Sequence, residues 1–455
     1  MIDFKKNNYK AFLKYIVLFF FFLLCLLFFY TVYRGDTYAN YGFSYAISRG
    51  EIPYLDFNMV ITPLSPLLYS FGLFIWRDLL TIYIEQSILL CVLFYFLDKL
   101  VGKRTYLFLL GLSLFYPISL CTFIFPGYNF LVFLLLIILF YLLKYKNNSL
   151  IIGIVLGLIF CTKQTLGLVL FFPSLYYFFK DRRIFIKRLI GFLIPILIMM
   201  FSLLLLGGFK EFINLCFLGL FNFGSSNVGI DVFYLILLIL GIFYLLFKIY
   251  KNKRDYELYY LLLFGFISFP IVDYFHVSLF LIGILYLICR DVKISDRFYK
   301  FIILFTAFFV VVSFIIENLY FNNKLRVYNY NHFSLSFIDI DYNNNVNNVT
   351  KYLSLYDSDS VYYLIRGSEA YFFKIINNKD ITYYDLLNHG NYGYNGEDKI
   401  ISNIYNLNSG SILVVDKSLC IKGGSTQFIC DTYKVLDKCK LLEEYGQFQI
   451  YIKEK

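Results

Sequence analysis

The sequence predicts an α-helical polytopic membrane protein that carries a smaller α/β domain at its C-terminal end. Three observations lead there. The 455 residues are 60% hydrophobic and 22% aromatic but only 16% charged, a balance outside the range of soluble globular chains. Apolar runs recur as far as residue 316 with short basic loops between them. From residue 317 the chain turns to Asn, Asp, Ser and Lys.

The first apolar run, 12–33, is too long for a cleaved leader, and bulky Tyr30 and Tyr33 stand where small residues would mark a cleavage site. It is expected to be a retained anchor. Further spans are expected at 79–98, 105–124, 129–143, 149–161, 166–179, 189–206, 231–247, 257–271, 277–289 and 300–316, about eleven in all. Basic residues set the orientation. With the N-terminus in the cytoplasm, 22 of them fall in inside loops, around Lys5–Lys14, Lys99–Arg104, Lys144–Lys146, Lys180–Arg188, Lys248–Arg254 and Arg290–Lys300. Only Arg34, Arg49, Arg77, Lys163 and Lys210 fall outside, so the positive-inside rule selects this arrangement. The apolar stretch 64–76 must then not cross, because a full crossing there would flip every later basic loop outward. Pro63 and Pro66 instead start a re-entrant or interfacial helix.

Eleven crossings divide the chain into a membrane domain, 1–316, whose first outer loop is 34–78, and an extracytoplasmic domain, 317–455. Within the latter, "VYYLI" 361–365, "SILVV" 411–415 and "QFQIYI" 447–452 read as strands, and "EDKIISNIYNL" 397–407 as a helix. The net charge of +10 is accounted for by loops at the membrane face, and nucleic acid is not an expected partner. Cys25, Cys91, Cys121, Cys161, Cys216 and Cys289 fall in apolar segments, whereas Cys420, Cys430 and Cys439 are an odd polar set that allows at most one internal disulfide. No zinc spacing occurs. His332 and His389 lack spacing partners and read as surface residues, and "HGNYGYNG" 389–396 as a Tyr-bearing loop.

Polar residues that interrupt apolar sequence collect on the outer side. Lys163 and Gln164 break what would otherwise be one long run from Ile151 to Leu175. A tight hairpin needs some polar turn, and lysine can snorkel; equally, a cation at this depth suits a phosphate. "PGYN" 126–129 adds Tyr128 and Asn129 to this side. In the first loop Asp36 follows the first span, Tyr38, Tyr41 and Tyr45 recur at helical spacing, and Arg49, Glu51 and Asp56 precede the prolines. Asp273 and His276 share one face of a helix end, as a structural pair or as part of a site.

Asp36, then Gly50, Pro53, Tyr54, Asp56, Phe57, Pro63 and Pro66 resemble the first outer loop of the GT-C superfamily of membrane glycosyltransferases. That superfamily includes protein O-mannosyltransferases and bacterial aminoarabinose transferases. "TKQTLG" 162–167 and "DYFH" 273–276 are similar to segments of bacterial members. The resemblance implies a GT-C-like fold and transfer of a sugar from a polyprenyl-phosphate donor to a glycan, lipid or protein acceptor outside the cytoplasmic membrane. Asp36 would be the catalytic base, and Lys163, Gln164, His276 and Arg49 would bind donor phosphate. Asp56, Asp273, Tyr128 and Asn129 are further candidates. Relatives often carry two adjacent acids where this chain has Gly35-Asp36, which leaves open whether a divalent cation takes part. A polysaccharide polymerase or ligase is a rival, though it usually places its large outer loop between helices; a lipid-linked glycan flippase would need a polar path across the membrane.

Reporter fusions at Lys187 and Lys455 are expected to report opposite sides of the membrane, the first cytoplasmic and the second external. The same sidedness at both sites would overturn the topology.

Overall fold

A computed structural model of the chain describes residues 2–29, 35–114, 126–226, 229–293, 301, 305, 326–330, 333–337, 340–356, 360–365, 369–420 and 427–454. Every expected span but the last is helical within these limits: Ile2–Phe29, Leu79–Val101, Thr105–Leu114, Tyr128–Tyr145, Ser149–Thr162, Gln164–Lys180, Arg182–Leu205, Val232–Lys251, Tyr256–Phe264 and Tyr274–Asp291. The span expected at 300–316 lies almost wholly outside the described residues, as does His332. Among the described residues, Leu79–Leu112, Tyr128–Tyr145, Arg182–Leu205 and Val232–Lys251 are long and apolar enough to cross a membrane; Ser149–Thr162 and Tyr256–Ser268 are shorter, so helix length alone does not establish eleven crossings.

The chain divides into two compact units, and both are discontinuous. One comprises Met1–Tyr30, Leu80–Met199 and Gly229–Tyr320; the other comprises Thr31–Leu79, Met200–Val228 and Phe321–Lys455. This division departs from a single cut at residue 316, because the first outer loop folds with the C-terminal residues.

In the first unit, helix faces show how apolar sequence is shared between lipid and protein. On Val232–Lys251, the stripe Phe233, Ile236, Leu240, Phe243 and Phe247 is exposed, while Leu238, Gly241 and Leu245 are buried. A Cβ on Gly241 would lie 2.6 Å from the Phe280 ring, so the missing side chain is what admits the neighbouring helix. Charged groups at the expected cytoplasmic ends neutralise one another. Arg290 bonds Asp255 at 2.7 Å, Glu257 at 2.8 Å and Asp291 at 2.9 Å, Tyr286 donates to Glu257, and Lys248 bonds Asp291. Arg104 donates to the carbonyls of Arg290 and Val292, Tyr145 to that of Lys99, and Lys14 pairs with Asp98. Loops scattered through the sequence are thereby tied into one polar end.

In the second unit, the strand Val361–Leu364 runs parallel to Ile412–Asp416, which pairs antiparallel with Phe448–Lys453, itself antiparallel to Cys439–Tyr445. The α/β character expected of the tail is present. Leu364, Ile400, Ile404, Leu413, Val415, Phe428 and Tyr451 form its core. The edge strand Cys439–Tyr445 escapes sequence reading because Leu441-Leu442 and Glu443-Glu444 destroy the alternation, and its paired glutamates suit an edge. Cys420 and Cys430 are joined by a disulfide, and Cys439 is a free thiol.

The first outer loop builds on this domain through the helix Gly35–Ser48. Phe43 stacks on Phe57 and meets the Tyr371 ring edge-on, and a Cβ on Gly42 would lie 2.4 Å from that same fully buried ring. Tyr54 is fully buried against Phe212, and its hydroxyl donates to the Ile61 carbonyl at 2.7 Å. Fully buried Asn58 donates to the Asn391 carbonyl at 3.2 Å. After Pro63 the stretch expected to be a re-entrant or interfacial helix is helical at Leu64–Ile75, with Ser65, Pro66, Tyr69, Ser70 and Leu73 buried and Phe71, Phe74 and Ile75 exposed. Phe71, Phe74 and Ile75 thus form an exposed apolar stretch near its C-terminal end.

Gly42→Ala is expected to destabilise the second unit by about 1–3 kcal/mol, the usual cost of overpacking against a ring with nowhere to move. Thermal unfolding of the purified chain checks this; an unchanged transition would mean that Tyr371 can yield.

Candidate functional site

The helices Ser149–Thr162 and Gln164–Lys180 are separated by one residue, Lys163, in extended conformation. The Lys163 N–H donates to the Ile159 carbonyl at 2.8 Å and the Lys163 carbonyl accepts from Gly167 N–H at 3.0 Å, so the break leaves little backbone unbonded. A Cβ on Gly167 would lie 2.2 Å from Phe160 Cα, so a glycine lets the second helix turn back closely along the first. Lys163 is half-buried at this bend. Its Nζ donates to Asn129 Oδ1 at 3.4 Å and lies 5.5 Å from the centroid of the Tyr128 ring. Asn129 is 5% exposed and Gln164 3% exposed. Tyr128 and Asn129, from one motif, are therefore collected at the half-buried Lys163 cation of a second, with buried Gln164 next to it in the chain.

Asp273 and His276 form a close pair in the same unit. Asp273 caps the helix Tyr274–Asp291, its Oδ1 accepting from the His276 N–H at 2.9 Å and facing His276 Nδ1 at 2.8 Å. Burial opposes charge on Asp273, but the bonds from His276 outweigh it and hold the carboxyl below its ordinary range. The pairing orients the imidazole and occupies Nδ1.

In the second unit Asp36 falls in the first turn of Gly35–Ser48; its side chain lies outside the described residues. Arg49 is committed locally: Nε pairs with Asp380, Nη1 donates to Asn378 Oδ1 at 2.8 Å, and the guanidinium lies over the Tyr45 ring. A fastening role, joining the first loop to the C-terminal domain, accounts for these contacts. Asp56 Oδ2 accepts from the Ile52 N–H at 2.6 Å and closes a turn. His389 faces Glu397 at 2.6 Å, a partner its spacing did not suggest.

Sequence reading gave no role to Glu51. Gly50 takes a left-handed φ of 94° after the helix, turning the chain so that Glu51 Oε1 accepts from the Ile381 N–H at 3.0 Å. Its Oε2 is buried with no hydrogen-bond partner. Burial, aided by the charges of Asp380 and Asp385 and opposed by the Ile381 N–H and Arg49, pushes the carboxyl up to about 8. Nearby, fully buried Asp385 is also shifted up by burial, against the pull of Lys374 at 3.5 Å and the Thr382 N–H. Among the described residues no three His, Cys, Asp or Glu side chains gather as a metal site.

No family model and no curated protein matches this chain. Its fold is shared with ArnT from Cupriavidus metallidurans, solved bound to undecaprenyl phosphate, at a TM-score of 0.57 and 11% identity over 97% of this chain and 98% of that one. The oligosaccharyltransferase of Archaeoglobus fulgidus, solved with zinc and sulfate, aligns at 0.41 and 11% identity over 97% of this chain and 73% of that one.

Glu51 binds its proton more tightly in the folded chain than in the unfolded one, where a value near 4.5 applies. Its contribution is therefore present at acid pH and lost as pH rises through about 8. Glu51→Gln is expected to flatten the fall in unfolding temperature across this range; an unchanged slope would show that Glu51 is not the group responsible.

Proposed function

We propose that this protein is a glycosyltransferase that moves a hexosyl or pentosyl group from a polyprenyl-phosphate donor to a glycan, lipid or protein acceptor at the outer face of the cytoplasmic membrane. The reaction belongs to cell-envelope glycan or glycoprotein synthesis. The observation that carries this reading is Lys163, held beside Tyr128 and Asn129 at a one-residue helix break, in a chain that shares its fold with a protein solved with undecaprenyl phosphate bound. The sidedness is supported by the distribution of basic residues and by the Cys420–Cys430 disulfide, a bond that persists in oxidising compartments.

The acceptor hydroxyl attacks the anomeric carbon, the new C–O bond forms as the bond to the lipid phosphate breaks, and the configuration inverts. Asp36 takes the hydroxyl proton. The departing phosphate keeps the bonding electron pair, and its charge develops near a low-dielectric medium where a fixed cation acts strongly. Lys163 supplies that cation. Its ammonium carries three donors; the long bond to Asn129 is weak enough to give way to a phosphate oxygen. Gln164 offers an amide donor, and His276, oriented through Nδ1, presents Nε2. A divalent cation at Asp36 would supply further positive charge, and turnover with and without chelator measures that contribution.

Asp36→Asn removes the base while keeping the size, so turnover should fall by about 100-fold or more with donor affinity retained. Lys163→Ala should weaken donor binding as well as turnover, since its contact is made in both ground and transition states. In an assay with a purified polyprenyl-phosphate sugar, full turnover by Asp36→Asn would remove the proposed base. Unchanged donor affinity in Lys163→Ala would remove the proposed phosphate site.

A further inference from the structure

The first unit contains a second concentration of positive charge, at the end opposite Lys163 along the same helices. The turn Lys146–Asn148 and the one-residue turn at Asp181 border a cavity of about 470 Å³ lined by Lys146, Asn147, Asn148, Asp181, Arg183 and Lys187. Two close approaches create it. A Cβ on Gly153 would lie 2.2 Å from the Arg188 carbonyl oxygen, and one on Gly191 would lie 2.2 Å from that of Leu150. The helices Ser149–Thr162 and Arg182–Leu205 thus cross backbone to backbone near their first turns, and both N-termini border the same cavity.

Two acceptors in this lining are already used, and Asp181 is its one carboxylate beside three cations. Asn148 Oδ1 accepts from the Leu150 and Ile151 N–H groups, and Asp181 Oδ1 from those of Arg183 and Ile184. Among the described residues no carboxylate forms an ion pair with Lys146, Arg183 or Lys187. Elsewhere at this end Arg290, Lys248 and Lys14 pair with carboxylates, while Lys251 and Lys253, like the cavity's cations, form no ion pair among the described residues. Beside the cavity the two helices turn apolar side chains outward: Leu150 and Ile151 from one, Ile186 and Ile190 from the other, 37–51% exposed.

We propose that this cavity binds a phosphate group, and that its occupant is the headgroup of an anionic phospholipid whose acyl chains lie along Leu150, Ile151, Ile186 and Ile190. Three exposed cations without carboxylate partners border one open cleft and outnumber its single carboxylate, Asp181, which suits an anion; basic pockets between membrane helices are suited to anionic lipid headgroups. The adjoining apolar surface favours a lipid over free phosphate, because only a lipid also covers those side chains. The site is separate from sugar transfer, and its existence does not depend on that reading.

The test uses the full chain purified in neutral detergent, with calorimetric titration of three probes: short-chain phosphatidic acid, short-chain phosphatidylcholine and inorganic phosphate. Saturable binding of phosphatidic acid is expected, with no comparable binding of phosphatidylcholine. Arg183→Gln with Lys187→Gln should weaken it by about tenfold or more, the effect of removing charge-assisted contacts. Lys251→Gln with Lys253→Gln, which lowers the same total charge elsewhere, should leave it unchanged. Both pairs are exposed, and unfolding temperatures without lipid should match wild type. Absence of saturable phosphatidic acid binding, or equal losses in the two double variants, would overturn the site in favour of diffuse charge. Inorganic phosphate binding as tightly as phosphatidic acid, with the same dependence on Arg183 and Lys187, would overturn the lipid as occupant.

Discussion

Lipid offers no hydrogen bonds, and everything else in this chain follows from that. Backbone groups must be satisfied within helices, and polar side chains are confined to helix ends or to places where a helix is interrupted. Lys163 is such a place. One extended residue ends a helix and begins the next, and its own N–H and carbonyl serve the helices on either side. The interruption thus costs little in backbone bonding while delivering an ammonium group, an adjacent amide at Gln164, and proximity to Tyr128 and Asn129 of the helix Tyr128–Tyr145. A cation placed this way is oriented by an amide and a ring.

Elsewhere charge is paired with opposite charge and holds structure. Arg290 meets three carboxylates, and one of them also receives a hydroxyl from Tyr286. A half-buried guanidinium is costly unless its donors are used, and here they are. Arg49 follows the same rule with Asp380 and Asn378. Whether a charged group is saturated by opposite charge separates a fastening from a candidate ligand site more sharply than its position in the sequence does. That distinction gives Arg49 a fastening contact beside the donor-phosphate role expected of it, and draws attention to Lys146, Arg183 and Lys187, which reading by sequence treats as ordinary basic anchors.

The helices were legible because membrane segments are specified locally: an apolar run of the right length has few alternatives. The Lys163 site was legible for a related reason, since a cation inside such a run needs an account. The three strongest strands of the C-terminal sheet could be read from their β-branched and aromatic runs. What could not be read depends on pairs distant in sequence. Nothing near Gly42 announces Tyr371, 329 positions away, and nothing near Glu51 announces the Ile381 N–H. The union of the first loop with the tail rests entirely on such pairs, so a linear cut at residue 316 had no means of finding it.

Glu51 shows what that union does chemically. A carboxylate in the solvated loop read from sequence would ionise near its ordinary value. Folded against the C-terminal domain, it gains one N–H but loses water on its other oxygen, and two aspartates stand nearby. One neutral hydrogen bond does not offset the desolvation of a full charge, so the proton stays on the carboxyl over much of the physiological range. Arg49, two residues earlier, faces the same domain but finds Asp380 and keeps its charge. Neighbouring residues of one loop thus reach opposite outcomes, Glu51 neutral and Arg49 ionised, because a surface contributed from over 300 positions away supplies a carboxylate to Arg49 and only an amide to Glu51.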